Sequence, residues 1–125
     1  MAGSYRDLLV WQKGIELTKL IYQLTGGEAF PKSERYGLIA QLRRAAVSVP
    51  SNIAEGQARS GTNEFLQFLY IAKGSLAELD TQCLISRELS YLAPEQCKVV
   101  LERITELQRM IFALITKLRA RKEGQ

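Results

Sequence analysis

Apolar residues recur every three or four positions in four segments of the chain, which is the spacing of packed α-helices. Gly, Pro and Ser residues lie at the breaks between the segments. The predicted helices span residues 8–25, 33–55, 63–89 and 94–118. A charged tail at residues 119–125 is expected to fray. We therefore predict an all-α, antiparallel up-down-up-down four-helix bundle that forms a single domain over residues 1–125.

A proline, Pro50, lies inside the second predicted helix. It cannot donate a hydrogen bond to the carbonyl of Ala46, and its ring crowds that carbonyl, at a cost of about 3 kcal/mol in a helix interior. A loop is the default interpretation, yet Ala46 and Ile53 keep the apolar stripe in phase across the proline. We therefore predict one helix, kinked at Pro50, in which Ser48 or Ser51 helps to satisfy the freed backbone groups.

A polar stripe follows the other side of the second helix, and a polar ladder lies on the third. The stripe comprises Gln41, Arg44, Ser48, Asn52 and Glu55, and the ladder comprises Ser75, Glu78 and Gln82. From Ser33 to Ala72 the basic residues are all arginines, which suit bidentate hydrogen bonding to carboxylate or phosphate. We favour a structural network in which Arg43 or Arg44 pairs with Glu78 and Gly74 permits close backbone approach. The alternatives are a face for an external ligand or RNA, and plain solvated surface.

Two predicted helices carry apolar residues on a second face. These residues are Leu8, Trp11, Ile15 and Tyr22 on the first helix, and Leu66, Tyr70, Ala77 and Leu84 on the third. A monomeric bundle needs one apolar face per helix, so the second faces favour an interface between copies of the chain. The alternative is that they belong to the broad core face of a small bundle.

The chain contains no histidine, which removes the commonest general base and most catalytic metal sites. Cys83 and Cys97 lack the close spacing of a zinc or redox motif, so we expect reduced core thiols in a cytoplasmic protein. Glu55 and Glu78 alone are a weak signal for a divalent cation. The sequence therefore predicts no catalytic residues, no metal and no cofactor.

The balance of charge favours an anionic partner. The chain has 17 Lys and Arg residues against 13 Asp and Glu, a net charge of +4. The candidate nucleic-acid contacts are Lys13, Lys19, Arg43, Arg44, Arg59, Arg103, Arg109 and Lys117. The longest apolar run, Met110 to Ile115, is far shorter than the roughly 20 residues that span a bilayer, and the first residues lack the apolar core of a signal peptide. A soluble protein without a membrane partner is expected.

Three stretches of the sequence resemble a known family. They are DLLVWQKGIEL (Asp7 to Leu17), FPKSERYGLIAQLRRAAVSVPSNIAEGQAR (Phe30 to Arg59) and EFLQFLYIAKGSLAELDTQ (Glu64 to Gln82). They are similar to the four-helix-bundle proteins encoded in intervening sequences of bacterial 23S ribosomal RNA genes. The resemblance covers about Asp7 to Ser86. Gly14 departs from it, because a better helix former is expected there, and it is predicted to weaken the first helix by about 1 kcal/mol.

The resemblance implies a homopentamer arranged as a barrel, without established catalytic residues. The chain is also similar to the accessory protein of diversity-generating retroelements, a basic pentamer that associates with a reverse transcriptase and binds nucleic acid. We therefore predict a non-catalytic, oligomeric protein that binds RNA or DNA or serves as a scaffold. The alternative is a protein-interaction module that acts as an accessory subunit of a reverse transcriptase or another polymerase.

Overall fold

The computed structural model describes residues 4–124, and in that range it contains four long α-helices and no β-strand. The helices are α1 (Leu9–Thr25), α2 (Leu38–Ala58), α3 (Thr62–Glu88) and α4 (Pro94–Glu123). Single turns of 3-10 helix, Tyr5–Asp7 and Lys32–Glu34, precede α1 and α2. None of the described helices is long and apolar enough to cross a membrane. The predicted all-α class with four helices is confirmed.

The α2 helix begins later and ends later than the sequence predicts. Gly37 has φ −104° and ψ −110°, outside helical geometry, so the preceding turn does not join the helix. The carboxylate of Glu34 accepts a hydrogen bond from the backbone N–H of Leu38 at 2.9 Å and so caps the new start. At the other end, α2 continues through Gly56 to Ala58. The helix therefore does not stop before Gly56, where the predicted range 33–55 ends.

The charged tail is helical instead of frayed as far as Glu123, and Gln125 lies outside the described residues. Leu118 is buried. The guanidinium of Arg119 lies 5.8 Å from the ring centroid of Tyr70, near the start of α3. These contacts with a neighbouring helix extend α4 beyond the last strongly apolar residue of its stripe.

Each helix packs against two others: α2 contacts α1 and α3, and α4 contacts α3 and α1. The side chains that fill the space between them are almost fully buried. They include Leu17, Ile21, Leu42, Ile53, Leu69, Leu76, Leu79, Ile104, Leu107 and Ile111. The predicted apolar stripes thus form one continuous core. A fully buried Leu or Ile side chain contributes about 1.5–3 kcal/mol, so this core is the main source of stability.

The α2 helix runs unbroken through Pro50, so the loop interpretation is excluded. The carbonyl of Ala46, which Pro50 cannot reach, lies 3.0 Å from the hydroxyl of Thr18 on α1, and that hydroxyl also lies 2.8 Å from the carbonyl of Gly14. The single hydroxyl proton is shared between these two acceptors. Ser51, one of the two serines predicted to help satisfy the freed backbone groups, is exposed. The freed carbonyl is therefore satisfied from a neighbouring helix.

Gly14 lets α1 come close enough for that bond. A Cβ at this position would lie 3.3 Å from the Cβ of Pro50, tighter than ordinary van der Waals contact. Gly14 is buried within α1. The predicted cost of Gly14 in helix propensity is offset by the close contact with Pro50 that it permits.

Candidate nucleic-acid interface

A chain of hydrogen bonds joins α2 to α3 at the middle of the polar stripe. The hydroxyl of Ser75 donates to the carbonyl of Ile71 at 3.1 Å, so its only proton is used there. The hydroxyl of Ser48, 2.8 Å away, must then donate to Ser75. The amide of Asn52 donates to the Ser48 hydroxyl and carbonyl, both at 2.8 Å. Every member of this chain is satisfied, although Ser75 is only 5% exposed.

The remaining residues of the stripe and the ladder do not join this chain. Gln41, Arg44 and Glu78 are exposed, and their side chains make no hydrogen bond or ion pair with other described residues. Glu55 pairs with Arg59 at 2.8 Å, one turn along its own helix. The pairing of Arg43 or Arg44 with Glu78 is absent, because Glu78 points outward from the bundle surface.

Gln82, the last residue of the polar ladder, is buried but does not join the hydrogen-bond chain. Its side chain is 7% exposed, and its Oε1 atom has no hydrogen-bond partner among the described residues. Gly74 does not provide the predicted close approach either, since a Cβ there would meet nothing within 4 Å. The close approach of α2 to α3 occurs at Gly56, where a Cβ would lie 2.7 Å from the Cβ of Phe68. The position of each glycine in the packed bundle, which helical spacing does not reveal, determines whether it permits a close approach.

The eight candidate cations are spread over several faces. Lys13 forms an ion pair with Glu106 at 3.4 Å and lines a shallow cavity with Arg103, Glu16 and Glu106. This α1/α4 surface is therefore mixed in charge. Arg59 is held by Glu55, and its guanidinium lies 5.3 Å from the ring centroid of Phe68.

The other six candidates make no ion pair within residues 4–124. They are Lys19, Arg43, Arg44, Arg103, Arg109 and Lys117. Five of them are exposed, and Arg43 is half-buried. Their charges remain available to an anion in solution.

Arg43 is held in place more firmly than the others. Its Nε donates to the hydroxyl of Thr25 at 2.9 Å, and its guanidinium lies 4.4 Å from the ring centroid of Tyr22. Both contacts are on the last turn of α1, where a cation is also favoured by the helix dipole. Arg43 faces a cleft of about 620 Å³ that Lys32 and Arg35 also line. Lys32 and Arg35 were not among the predicted contacts, because neither belongs to the polar stripe, and the structure places both ahead of α2.

The two cysteines face each other in the core. The sulfur atoms of Cys83 and Cys97 are 3.1 Å apart, and both residues are buried free thiols. Burial, followed by the hydrogen bond with Cys97, raises the pKa of the Cys83 thiol well above its usual range. This shift favours the protonated thiol, which is the less nucleophilic form. No group of His, Cys, Asp or Glu in the described residues is arranged to hold a metal ion.

A comparison with family models relates this geometry to known proteins. The model of the 23S rRNA-intervening sequence proteins matches residues 6–113. The chain belongs to this family. The match confirms the resemblance and extends it from α3 into most of α4, which the quoted stretches did not reach.

A protein of known structure has the same fold as this chain. The crystal structure, at 1.70 Å, is of a protein of unknown function from the S23 ribosomal protein family of Bacteroides thetaiotaomicron. The TM-score is 0.78 at 20% sequence identity, and the alignment covers 86% of this chain and 98% of that one. At this identity the likeness shows the fold alone. No curated protein matches the sequence.

In this member of the 23S rRNA-intervening sequence protein family, the second apolar faces are only partly covered. Leu66 is buried, and Leu8, Trp11 and Leu84 are half-buried against the core. In contrast, Ile15, Tyr22 and Tyr70 are 44%, 43% and 40% exposed. Each face is therefore shared between the bundle's own core and the solvent-facing surface.

Proposed function

We propose that this protein is a non-catalytic, oligomeric RNA-binding or scaffolding protein. The observation that carries the proposal is that six of the eight candidate cations in the described chain have no carboxylate partner. The net charge of +4 also favours a polyanionic partner. Phosphate contacts dominate the affinity of nucleic-acid-binding proteins, so these cations support RNA as the partner.

The proposed assembly is an antiparallel up-down-up-down bundle, kinked at Pro50, that associates as a homo-oligomer. Along the α1/α2 contact Gly14 meets Pro50 and Thr18 meets Ala46, so residue numbers rise on one helix as they fall on the other. This supports the antiparallel order. The exposed Ile15, Tyr22 and Tyr70 favour association, and the family resemblance favours a pentamer.

Repetition of one basic surface around an oligomer strengthens binding without new contacts within a chain. Weak phosphate contacts on several copies act together when one RNA spans them. Charge and shape are expected to contribute more to recognition than Trp11 or Tyr22, because the Trp11 ring makes an edge-to-face contact with Tyr5 and the Arg43 guanidinium lies 4.4 Å from the Tyr22 ring centroid.

A salt titration of RNA binding tests this proposal. Fluorescence anisotropy with a labelled structured RNA should show affinity that falls linearly with salt on logarithmic axes, with a slope of about −0.7 to −0.9 per phosphate contact. Replacement of Arg103, Arg109 and Lys117 by Gln should reduce that slope.

The matched control replaces Lys73, Lys98 and Arg121 by Gln, which removes the same charge at exposed positions outside the candidate set. It should change the slope less than the first variant. Absence of binding by the unmodified protein at low salt would refute the function. Native mass spectrometry of the same samples reports the number of chains and of bound RNA molecules.

A further inference from the structure

The cleft between the end of α1 and the start of α2 collects positive charge without an opposing carboxylate. Its lining includes Lys32, Arg35 and Arg43 and no acidic residue. Two acids adjoin the lining residues along the chain: Glu28 is exposed, and Glu34 directs its Oε1 to the N–H of Leu38 at 2.9 Å. At about 620 Å³ the cleft is large enough for a nucleotide-sized group.

The donors in this cleft are oriented and unused. Arg43 is fixed by the bond from its Nε to Thr25, which uses one of the five N–H donors of a guanidinium. The remaining four have no acceptor among the described residues. A guanidinium held in this way loses little further freedom when it binds a phosphate through two parallel hydrogen bonds.

The start of α2 also contributes to the lining of this cleft. Ile39 and Ala40, in the first turn of α2, also line the cleft. Their N–H groups find no carbonyl acceptor within residues 4–124. Free N–H groups at the start of a helix favour an anion, and the Glu34 carboxylate that caps Leu38 meets part of that preference.

An unusually exposed aromatic residue adjoins the lining residues of the cleft in sequence. Tyr36 directly follows Arg35, and it is 88% exposed, more than any other large apolar or aromatic side chain in the described chain. Such exposure contributes nothing to the core. An open aromatic face next to cations suits an unpaired base, because single-stranded nucleic acids are held by phosphate contacts together with stacking.

We propose that this cleft is a binding site for single-stranded RNA, in which Lys32, Arg35 and Arg43 hold a backbone phosphate and Tyr36 stacks on an adjacent base. The inference rests on the RNA-binding function proposed above, and it adds the location and the type of strand. Lys32, Arg35 and Tyr36 are exposed and make no side-chain hydrogen bond or ion pair, so they can be replaced without loss of folding contacts.

The test measures the binding of three variants to one 12-nucleotide single strand and to its duplex. Tyr36→Ala removes the stacking face and should weaken single-strand binding about tenfold, with little effect on the duplex. The double variant Lys32→Gln, Arg35→Gln should weaken single-strand binding and reduce the salt slope by about 0.7 for each phosphate that is no longer neutralised. The control, Lys73→Gln with Lys98→Gln, removes equal charge elsewhere and should retain the unmodified salt slope.

The outcomes separate this inference from the broader function. If the unmodified protein binds RNA but the cleft variants bind it equally well, the cleft is excluded while RNA binding stands. If no RNA binds at low salt, both fail. Equal competition by an acidic peptide, or by inorganic phosphate at the same phosphate concentration, would overturn the assignment to RNA, because neither can stack on Tyr36.

Discussion

The inner side of α2 and the outer side of α3 use small residues in opposite ways. On α2, Gly56 lies where a Cβ would approach Phe68 to 2.7 Å. On α3, Gly74 lies where a Cβ would meet nothing within 4 Å. Both glycines occur inside helices, and both carry the same cost in helix propensity. Only the first is required by its surroundings, so the neighbouring helix, and not the residue's own helix, determines which glycine the fold needs.

The same distinction applies to the polar residues. Ser75 faces α2 and takes part in a hydrogen-bond chain in which every hydroxyl both donates and accepts. Glu78 lies one turn further along α3 and is exposed without a partner among the described residues. The inner contacts thus specify how α2 and α3 fit together, while the outer positions are free to change.

Gly56→Ala is expected to have the largest effect. The added Cβ would clash with the Cβ of Phe68, which belongs to the rigid part of that side chain, so the helices must separate. Overpacking of this kind costs about 1–3 kcal/mol, which exceeds the gain of about 1 kcal/mol in helix propensity. Urea unfolding at fixed protein concentration measures the loss. Unchanged or increased stability would show that α2 and α3 can move apart freely.

Ser75→Ala is expected to cost about 1–2 kcal/mol. It removes the acceptor of the Ser48 hydroxyl and leaves a half-buried donor unpaired. The matched variant Ser48→Ala with Ser75→Ala removes both hydroxyls, and it should cost less than the sum of the two single changes. Strictly additive losses in urea unfolding would show that the two hydroxyls do not interact.

Thr18→Val tests the contact between α1 and α2 and should cost about 1 kcal/mol. The side chain keeps its shape but no longer donates to the carbonyl of Ala46, which Pro50 leaves without a helical donor. In a Pro50→Ala background, residue 50 regains an N–H that can reach this carbonyl. The cost of Thr18→Val should therefore shrink in that background, and an equal cost in both would contradict this account of the proline.

The helices and the core could be predicted from the sequence because they depend on local spacing. The residues at three- and four-residue intervals are the buried ones, and Pro50 keeps that phase. The boundaries depended on single contacts: the capping of Leu38 by Glu34 delays α2, and the packing of Arg119 on Tyr70 extends α4. No periodic pattern contains such contacts.

The candidate sites were less predictable than the fold for the same reason. The stripe on α2 and the ladder on α3 included Ser48, Asn52 and Ser75, which hydrogen bonds join in the structure, since residues on one helix face share a neighbour. They could not show that Glu78 points outward, nor that Lys32 and Arg35 converge with Arg43 on one cleft. Convergence of residues from a loop and a helix depends on how the chain turns between α1 and α2.

Gly74→Ala is expected to have the smallest effect and the opposite sign to Gly56→Ala. The new methyl group would enter open space on the exposed side of α3, while alanine lowers the entropy of the unfolded chain and favours the helix. A gain of about 0.5–1 kcal/mol in the free energy of unfolding should follow. Mass measurements on both proteins are needed alongside urea unfolding, because an oligomer's stability depends on its association. A loss of stability, or a change in the number of associated chains, would mean that the face around Gly74 is covered by another copy in solution, and the contrast with Gly56 would then hold only within a single chain.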